Sequence, residues 1–73
     1  MKSYVYTIED EYLGIPLLIE GEVITFADEF APEVIINDIS LPHVETPLAL
    51  WAFSDRFIEH LQDRIYQQWA NEK

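Results

Sequence analysis

Cysteine is absent from the 73-residue sequence, so neither a disulfide nor a thiolate-bound metal can compensate for a small core. Basic residues are few, four against fourteen acids, and the formal net charge is −10. Proteins bind nucleic acids and anionic membranes through basic surfaces, so this charge balance argues against both as direct partners. No hydrophobic run approaches a membrane span, and the first residues lack the apolar core of a signal peptide. We therefore expect a soluble cytoplasmic protein.

The negative charge is concentrated in the first two thirds of the chain. Residues 1–47 hold ten acids against Lys2 alone, whereas residues 48–73 hold four acids and three bases. The length suits one domain, near the lower limit of what folds unaided. Apolar residues make up 49% of the chain, more than so small a core can hide. We therefore predict a single domain over residues 1–73 that forms homo-oligomers, most simply a homodimer.

Two alternating stretches near the start predict a β-hairpin. Lys2 to Tyr12 alternates aromatic or β-branched residues with polar ones, and a second alternating stretch runs from Ile15 to about Phe26. Between them Leu13-Gly14 forms the turn, for which we expect type II geometry with glycine supplying the positive φ. A two-residue loop pairs Ile8 with Ile19, Tyr6 with Gly21 and Tyr4 with Val23 on one apolar face. The other face then pairs Glu9 with Leu18, Thr7 with Glu20 and Val5 with Glu22.

A third strand follows an irregular connection. Residues 26–32 break the alternation and end in Pro32, and we expect Phe26 and Phe30 to tuck under the core. Glu33 to Leu41 resumes the alternation. We assign Ile35, Asn37, Ile39 and Leu41 to the core face, and Val34, Ile36 and Asp38 to the opposite face.

The last third predicts a helix, from Pro47 to Asn71. Apolar residues recur at steps of three and four, and Thr46 and Pro47 are suited to begin a helix. A short turn followed by a helix that Ser54-Asp55 caps is the alternative. Leu48 to Phe53 is apolar on every side, which implies burial by the sheet and by a second chain. The amphipathic stripe comprises Leu50, Ser54, Phe57, Ile58, Leu61, Ile65 and Trp69.

These elements predict an α+β fold of order β-β-β-α, a three-stranded antiparallel sheet with one C-terminal helix packed on one face. The uncovered face mixes apolar and acidic side chains, a composition that marks interaction surfaces on small proteins. We predict this face as the partner-binding site. Its members are Val5, Glu9, Leu18, Glu20, Glu22, Ile24, Val34, Ile36 and Asp38.

No pattern in the sequence indicates catalysis, a cofactor or a metal. There is no cysteine nucleophile, no glycine-rich phosphate loop and no serine with histidine and acid at a known spacing. The acids at Glu9, Asp10 and Glu11 are interpreted as the solvated end of a hairpin. His43 and His60 are isolated, and His60 is interpreted as a surface residue near Arg56 and Arg64. We predict no enzyme activity, no catalytic residue, no cofactor and no metal.

The overall layout resembles small acidic accessory proteins of bacteriophages. The likeness lies in a Tyr/Val-rich strand and acidic hairpin, a connection with Phe26, Phe30 and Pro32, a Val-Ile-Ile strand and a terminal helix. The resemblance implies inhibition of host or defence machinery. Carboxylates at alternate strand positions lie roughly 6.5–7 Å apart, and rows of them can imitate a phosphate backbone. We thus expect a non-enzymatic module that engages a basic, nucleic-acid-binding host protein. The alternative is a structural or assembly protein that acts through homo-oligomerisation.

Overall fold

The computed structural model describes residues 1–27, 31–44 and 46–72. Three strands form one antiparallel sheet in the order β1-β2-β3, followed by a short 3₁₀ turn and one α-helix. The predicted α+β fold with order β-β-β-α is confirmed. The bounds are β1 Lys2–Tyr12, β2 Ile15–Thr25, β3 Glu33–Ser40, 3₁₀ turn Leu50–Ala52 and α1 Asp55–Asn71.

The hairpin has the register that the alternation predicts, but its turn has a different geometry. Tyr12 pairs with Ile15, and from there Ile8 faces Ile19 and Tyr6 faces Gly21. Both turn residues have positive φ, 53° at Leu13 and 82° at Gly14. A type II turn needs positive φ only at its second central residue, whereas type I′ needs it at both. The type II prediction was therefore wrong, because the type I′ turn matches the right-handed twist of the strands.

A β-bulge in β3 overturns half of the predicted face assignment. Asp38 pairs with Glu20 but Ile36 pairs with Gly21, so Asn37 is an extra residue in β3. In the residues of β3 that precede the bulge, each side chain therefore lies on the opposite face from the one that strict alternation predicts. Ile36 therefore lies in the core at 7% exposure. The assignment of Ile36 to the uncovered face was wrong.

The neighbours of the bulge follow the same exchange. Val34 pairs with Val23 and packs against the core, so its assignment to the uncovered face was also wrong. Ile35 pairs with Glu22 and lies on the uncovered face instead of in the core. Asn37 itself is exposed. The bulge has a physical benefit, because it brings Ile36 and Ile39, three residues apart, onto the same buried side.

Helix α1 begins at Asp55, so the single helix from Pro47 was wrong and the alternative start at Ser54-Asp55 is correct. Ser54 is extended, and its hydroxyl oxygen accepts a hydrogen bond from the Phe57 N–H at 3.2 Å. This is N-cap geometry. Upstream, the Leu48 N–H donates to the Ile39 carbonyl at 2.7 Å, which keeps that part of the chain extended beside β3. The helix ends at Asn71, as the sequence predicts.

The helix buries its apolar stripe against one face of the sheet, with closest approach at Gly21. A β-carbon on Gly21 would collide with the δ-methyl of Ile65 and would also contact the δ-methyl of Ile36. A residue without a side chain thus lets helix and sheet pack closely. The buried core is Tyr6, Ile8, Leu17, Ile19, Val23, Ile36, Ile39, Phe57, Leu61, Ile65 and Trp69.

The apolar segment before the helix is less buried than its composition predicts. Trp51 is 89% exposed and Leu48 and Leu50 are 37% exposed, whereas Phe53 packs beside the rings of Tyr12 and Phe57. Burial of this segment by the chain's own sheet was therefore a wrong expectation. Phe26 is also exposed instead of tucked under the core. Phe30, with residues 28 and 29, lies outside the described residues.

Candidate partner-binding face

The face of the sheet opposite helix α1, hereafter the acidic face, is built from the strand residues that alternate with the core. The paired strands place its side chains in rows across the sheet. The central rows are Thr7–Glu20–Asp38 and Val5–Glu22–Ile35. The row toward the turn is Glu9–Leu18–Ser40, and the row toward the other end is Ser3–Ile24–Glu33.

Carboxylates dominate the acidic face. In the described strands this face carries no lysine or arginine, because Lys2 pairs with Thr25 and belongs to the helix-covered side. Glu20 stands directly opposite Asp38, and like charges at such positions destabilise a sheet. The acids on the face are Glu9, Glu11, Glu20, Glu22, Glu33 and Asp38.

Apolar side chains lie among these acids. Val5 is 61% exposed, and Leu18, Ile24 and Ile35 are partly exposed. Neighbouring strands are about 4.8 Å apart and alternate residues of one strand about 6.5–7 Å apart. The acidic face is therefore a mixed surface on which hydrophobic contact and charge attraction can act within a few ångströms.

The structure brings together most of the predicted site. Val5, Glu9, Leu18, Glu20, Glu22, Ile24 and Asp38 lie on this face by register, whereas Val34 and Ile36 lie on the other side. The sequence prediction missed Ile35, because strict alternation groups it with Ile39. A signal was present: three consecutive apolar residues followed by Asn37-Asp38 cannot alternate cleanly, and such a break is typical of a bulge.

The sequence suggested that Asp10 belongs to a solvated acid cluster at the end of the hairpin, and for Asp10 this interpretation was wrong. Asp10 lies on the covered side, where its Oδ2 is 2.7 Å from His60 Nε2 and 3.0 Å from Arg64 Nη1. Partial burial by itself raises the pKa of Asp10. The hydrogen bonds from the Glu11 N–H, Arg64 and His60 outweigh that effect and lower the pKa below its ordinary value of 3.8. Within the described residues, both ion pairs use Asp10, so no counter-ion is assigned to the acidic face.

The same groups occupy part of the free edge of β1. In a two-residue hairpin the residues flanking the turn bond to each other, so odd-numbered residues of β1 point their N–H and C=O groups outward. Arg64 Nη1 donates to the Glu9 carbonyl at 2.6 Å, and Asp10 Oδ1 accepts from the Glu11 N–H at 2.7 Å. These side-chain bonds block strand addition near the turn.

The part of the chain that the structure describes contains neither a metal-binding cluster nor a membrane-spanning helix. No three side chains among His, Asp and Glu gather there in a way that could hold a metal ion. No helix in those residues is both long enough and apolar enough to cross a membrane.

Comparison with known proteins gives no family for this chain. No protein-family model, no curated protein and no solved structure matches it.

Proposed function

We propose that this chain is a non-enzymatic binding module whose acidic face engages a basic surface on a partner protein. The observation that carries the proposal is the row geometry: six carboxylates share one sheet face with exposed or half-exposed aliphatic side chains and no basic residue of the described strands. We further propose a bacteriophage or mobile-element origin, action in the host cytoplasm, and interference with a host protein.

The energetics of the acidic face favour a role in binding over a role in stability. Glu20 and Asp38 face each other across β2 and β3, and a like-charged pair of this kind costs roughly 0.2–1 kcal/mol. Arginine or lysine side chains of a partner would remove that repulsion and add attraction. Such complementarity mainly raises the association rate and makes it fall with salt.

The spacing of the carboxylates favours a nucleic-acid-binding protein as the partner. On this face Glu20 and Asp38 stand about 4.8 Å apart across strands, and the pairs Glu9/Glu11 and Glu20/Glu22 are about 6.5–7 Å apart along a strand. Phosphates advance about 3.4 Å along the axis per strand. The acids therefore recur at one to two phosphate steps, so a groove lined with basic side chains can contact several at once. The aliphatic side chains between them would add contacts that a nucleic acid lacks.

Two variants of equal net charge test the proposal. The first, Glu20→Gln with Glu22→Gln, removes two charges from the acidic face. The matched control, Glu59→Gln with Asp63→Asn, removes two exposed charges from helix α1. Each immobilised protein captures partners from nuclease-treated bacterial lysate at low and high salt, and mass spectrometry identifies them. Association rates of a captured partner are then measured against ionic strength.

We expect the wild type and the helix control to retain the same basic proteins, and the face variant to lose them. Its association rate should fall about tenfold at low salt with a weaker salt dependence. Equal retention by both variants would show that the acidic face is not the contact surface. Capture of acidic partners only would contradict the electrostatic basis of the proposal.

A second candidate function, assembly through homo-oligomerisation, has its own supporting observation. Exposed apolar side chains are present at the hairpin turn and in the 3₁₀ turn: Leu13 at 87%, Ile15 at 51% and Trp51 at 89%. The outer edge of β1 also displays backbone groups at Val5 and Thr7, beyond the part that Arg64 blocks. Analytical ultracentrifugation of wild type and Trp51→Ser distinguishes the candidates. A closed oligomer that dissociates in the variant supports assembly, and a monomer in both would contradict assembly as well as the predicted homodimer.

A further inference from the structure

An aromatic cleft lies at the end of the molecule away from the hairpin turn. It measures about 250 Å³ and is lined by Tyr4, Tyr6, Trp69 and Glu72. A neighbouring cleft of about 390 Å³ shares Tyr4 and Trp69 and extends past Phe26. The cleft lies on the helix side of the sheet and is separate from the acidic face.

Contacts within the protein fix the walls of this cleft. The Tyr6 hydroxyl donates a hydrogen bond to Glu72 Oε2 at 2.9 Å, which orients the carboxylate. Burial raises the pKa of the Tyr6 hydroxyl, and the hydrogen bond to Glu72 and the charge of that carboxylate raise it further. The ring of Tyr66 packs 5.6 Å from that of Trp69 and holds it in place.

The electrostatic features of the cleft favour a cation. Glu72 is the C-cap of helix α1, where the helix dipole is negative. Aromatic ring faces also attract cations. Lys2 lines the neighbouring cleft, but no ion pair in the described residues joins it to Glu72.

We propose that this cleft binds a guanidinium group, as on an arginine side chain. A guanidinium is planar and stacks on aromatic faces while its N–H groups donate to a carboxylate. The cleft offers both partners together, since Tyr4 supplies an exposed ring and Glu72 supplies the acceptor. Within the described residues, Glu72 Oε1 takes part in no hydrogen bond, because the bond from Tyr6 uses Oε2. The volume equals that of about eight water molecules, which exceeds what a guanidinium head needs.

The test is an NMR titration with N-acetyl-arginine amide, with N-acetyl-citrulline amide as the uncharged isostere. Chemical shifts of the Trp69 indole and the Glu72 amide report on the cleft. The shifts of Glu20 and Glu22 report on unspecific attraction to the acidic face. We expect saturable shifts around Trp69 with the arginine compound and none with the citrulline compound.

Variants separate the contributions of charge and ring. Glu72→Gln should weaken binding about fivefold or more, and Tyr4→Leu about two- to fivefold, because each removes one attraction toward the cation. Glu59→Gln makes the same charge change on the exposed face of helix α1 and should leave binding unchanged. Tyr4 is 40% exposed, so Tyr4→Leu provides a test even if Glu72→Gln disturbs the helix end.

Three results would overturn the proposal. Equal shifts with the citrulline compound would show that charge plays no part. Shifts centred on Glu20 and Glu22 would place the arginine compound on the acidic face. Unchanged affinity in both Glu72→Gln and Tyr4→Leu would exclude the cleft. Because these readouts are specific to the cleft, they are independent of the proposed role of the acidic face.

Discussion

Gly21 is the position at which one added methyl group tests the whole packing arrangement. A β-carbon there would collide with the Ile65 δ-methyl and would stand 3.0 Å from the Ile35 carbonyl oxygen. Overpacking of this kind costs about 1–3 kcal/mol. Alanine also lowers the conformational entropy of the unfolded chain, which stabilises the folded protein by about 0.4–1 kcal/mol. The balance predicts that Gly21→Ala lowers the free energy of unfolding by about 1.3 kcal/mol at the midpoints of these ranges, and by at most about 2.6 kcal/mol.

A second substitution isolates the contact responsible. Ile65→Val removes the δ-methyl that stands over Gly21, and alone it should cost about 0.5–1.5 kcal/mol. In the double variant the alanine methyl fills the space left by that δ-methyl. The double variant should therefore be destabilised by about 1 kcal/mol less than the sum of the two single variants. The contact of the alanine methyl with the Ile35 carbonyl oxygen accounts for the part of the Gly21→Ala cost that remains.

Urea unfolding followed by circular dichroism measures all four corners of this cycle. The control cycle uses Ile39→Val in place of Ile65→Val. Ile39 is fully buried and pairs with Ile19, and the cost of Ile39→Val should add to that of Gly21→Ala. In a domain of this size 1 kcal/mol also moves the Tm by about 4–8 °C. Additivity within about 0.3 kcal/mol in the Ile65 cycle would refute the close approach of helix and sheet at Gly21.

Three further predictions concern the turn, the acidic face and the Asp10 cluster. Leu13 has a φ of 53° and is 87% exposed. Asparagine tolerates positive φ better than leucine does, so Leu13→Asn should raise the urea midpoint by the equivalent of about 0.5–1 kcal/mol. A Leu13→Asn variant no more stable than Leu13→Ala would contradict type I′ geometry. Asp38→Asn removes repulsion with Glu20 and should stabilise by about 0.2–1 kcal/mol, more at low salt, so a loss of stability would refute that repulsion. Asp10→Asn should cost about 0.5–1 kcal/mol at pH 7. Because the pKa of folded Asp10 lies below its ordinary value of 3.8, this stabilisation is present above that pH and disappears as pH falls through the lowered pKa. The wild type and Asp10→Asn should therefore converge in urea unfolding at acid pH, and a constant difference from pH 7 to pH 2 would contradict this account.

The hairpin was predictable because local rules suffice for it. Alternation has a period of two, so once the turn at Leu13-Gly14 was located, one register kept Ile8 and Ile19 together on the apolar side. Every pair worked out from the sequence is present in the structure. The turn type was missed because glycine alone suggests one positive φ, and a leucine in the left-handed region is unusual.

The acidic face was predictable only where alternation held. On β1 and β2 it did, so Val5, Glu20 and Glu22 lie where expected. On β3 the bulge at Asn37 exchanged the faces and moved Ile36 into the core. The predicted helix start at Pro47 was also wrong because a tertiary contact overrides a local pattern. Pro47 begins a good helical pattern, but the hydrogen bond from the Leu48 N–H to the Ile39 carbonyl keeps that part of the chain extended.

The element types, the hairpin register and the concentration of acid on one half of the chain follow from the sequence alone, because periodicity and composition are local properties of the chain. Tertiary packing accounts for the bulge in β3, the start of helix α1 and the approach of Asp10 to His60 and Arg64. Each depends on which distant segment packs alongside, and burial of Ile36 and Ile39 together outweighs the regular alternation of β3. The contacts of Asp10 with His60 and Arg64, about fifty residues away, leave no local pattern, so only the folded chain reveals them.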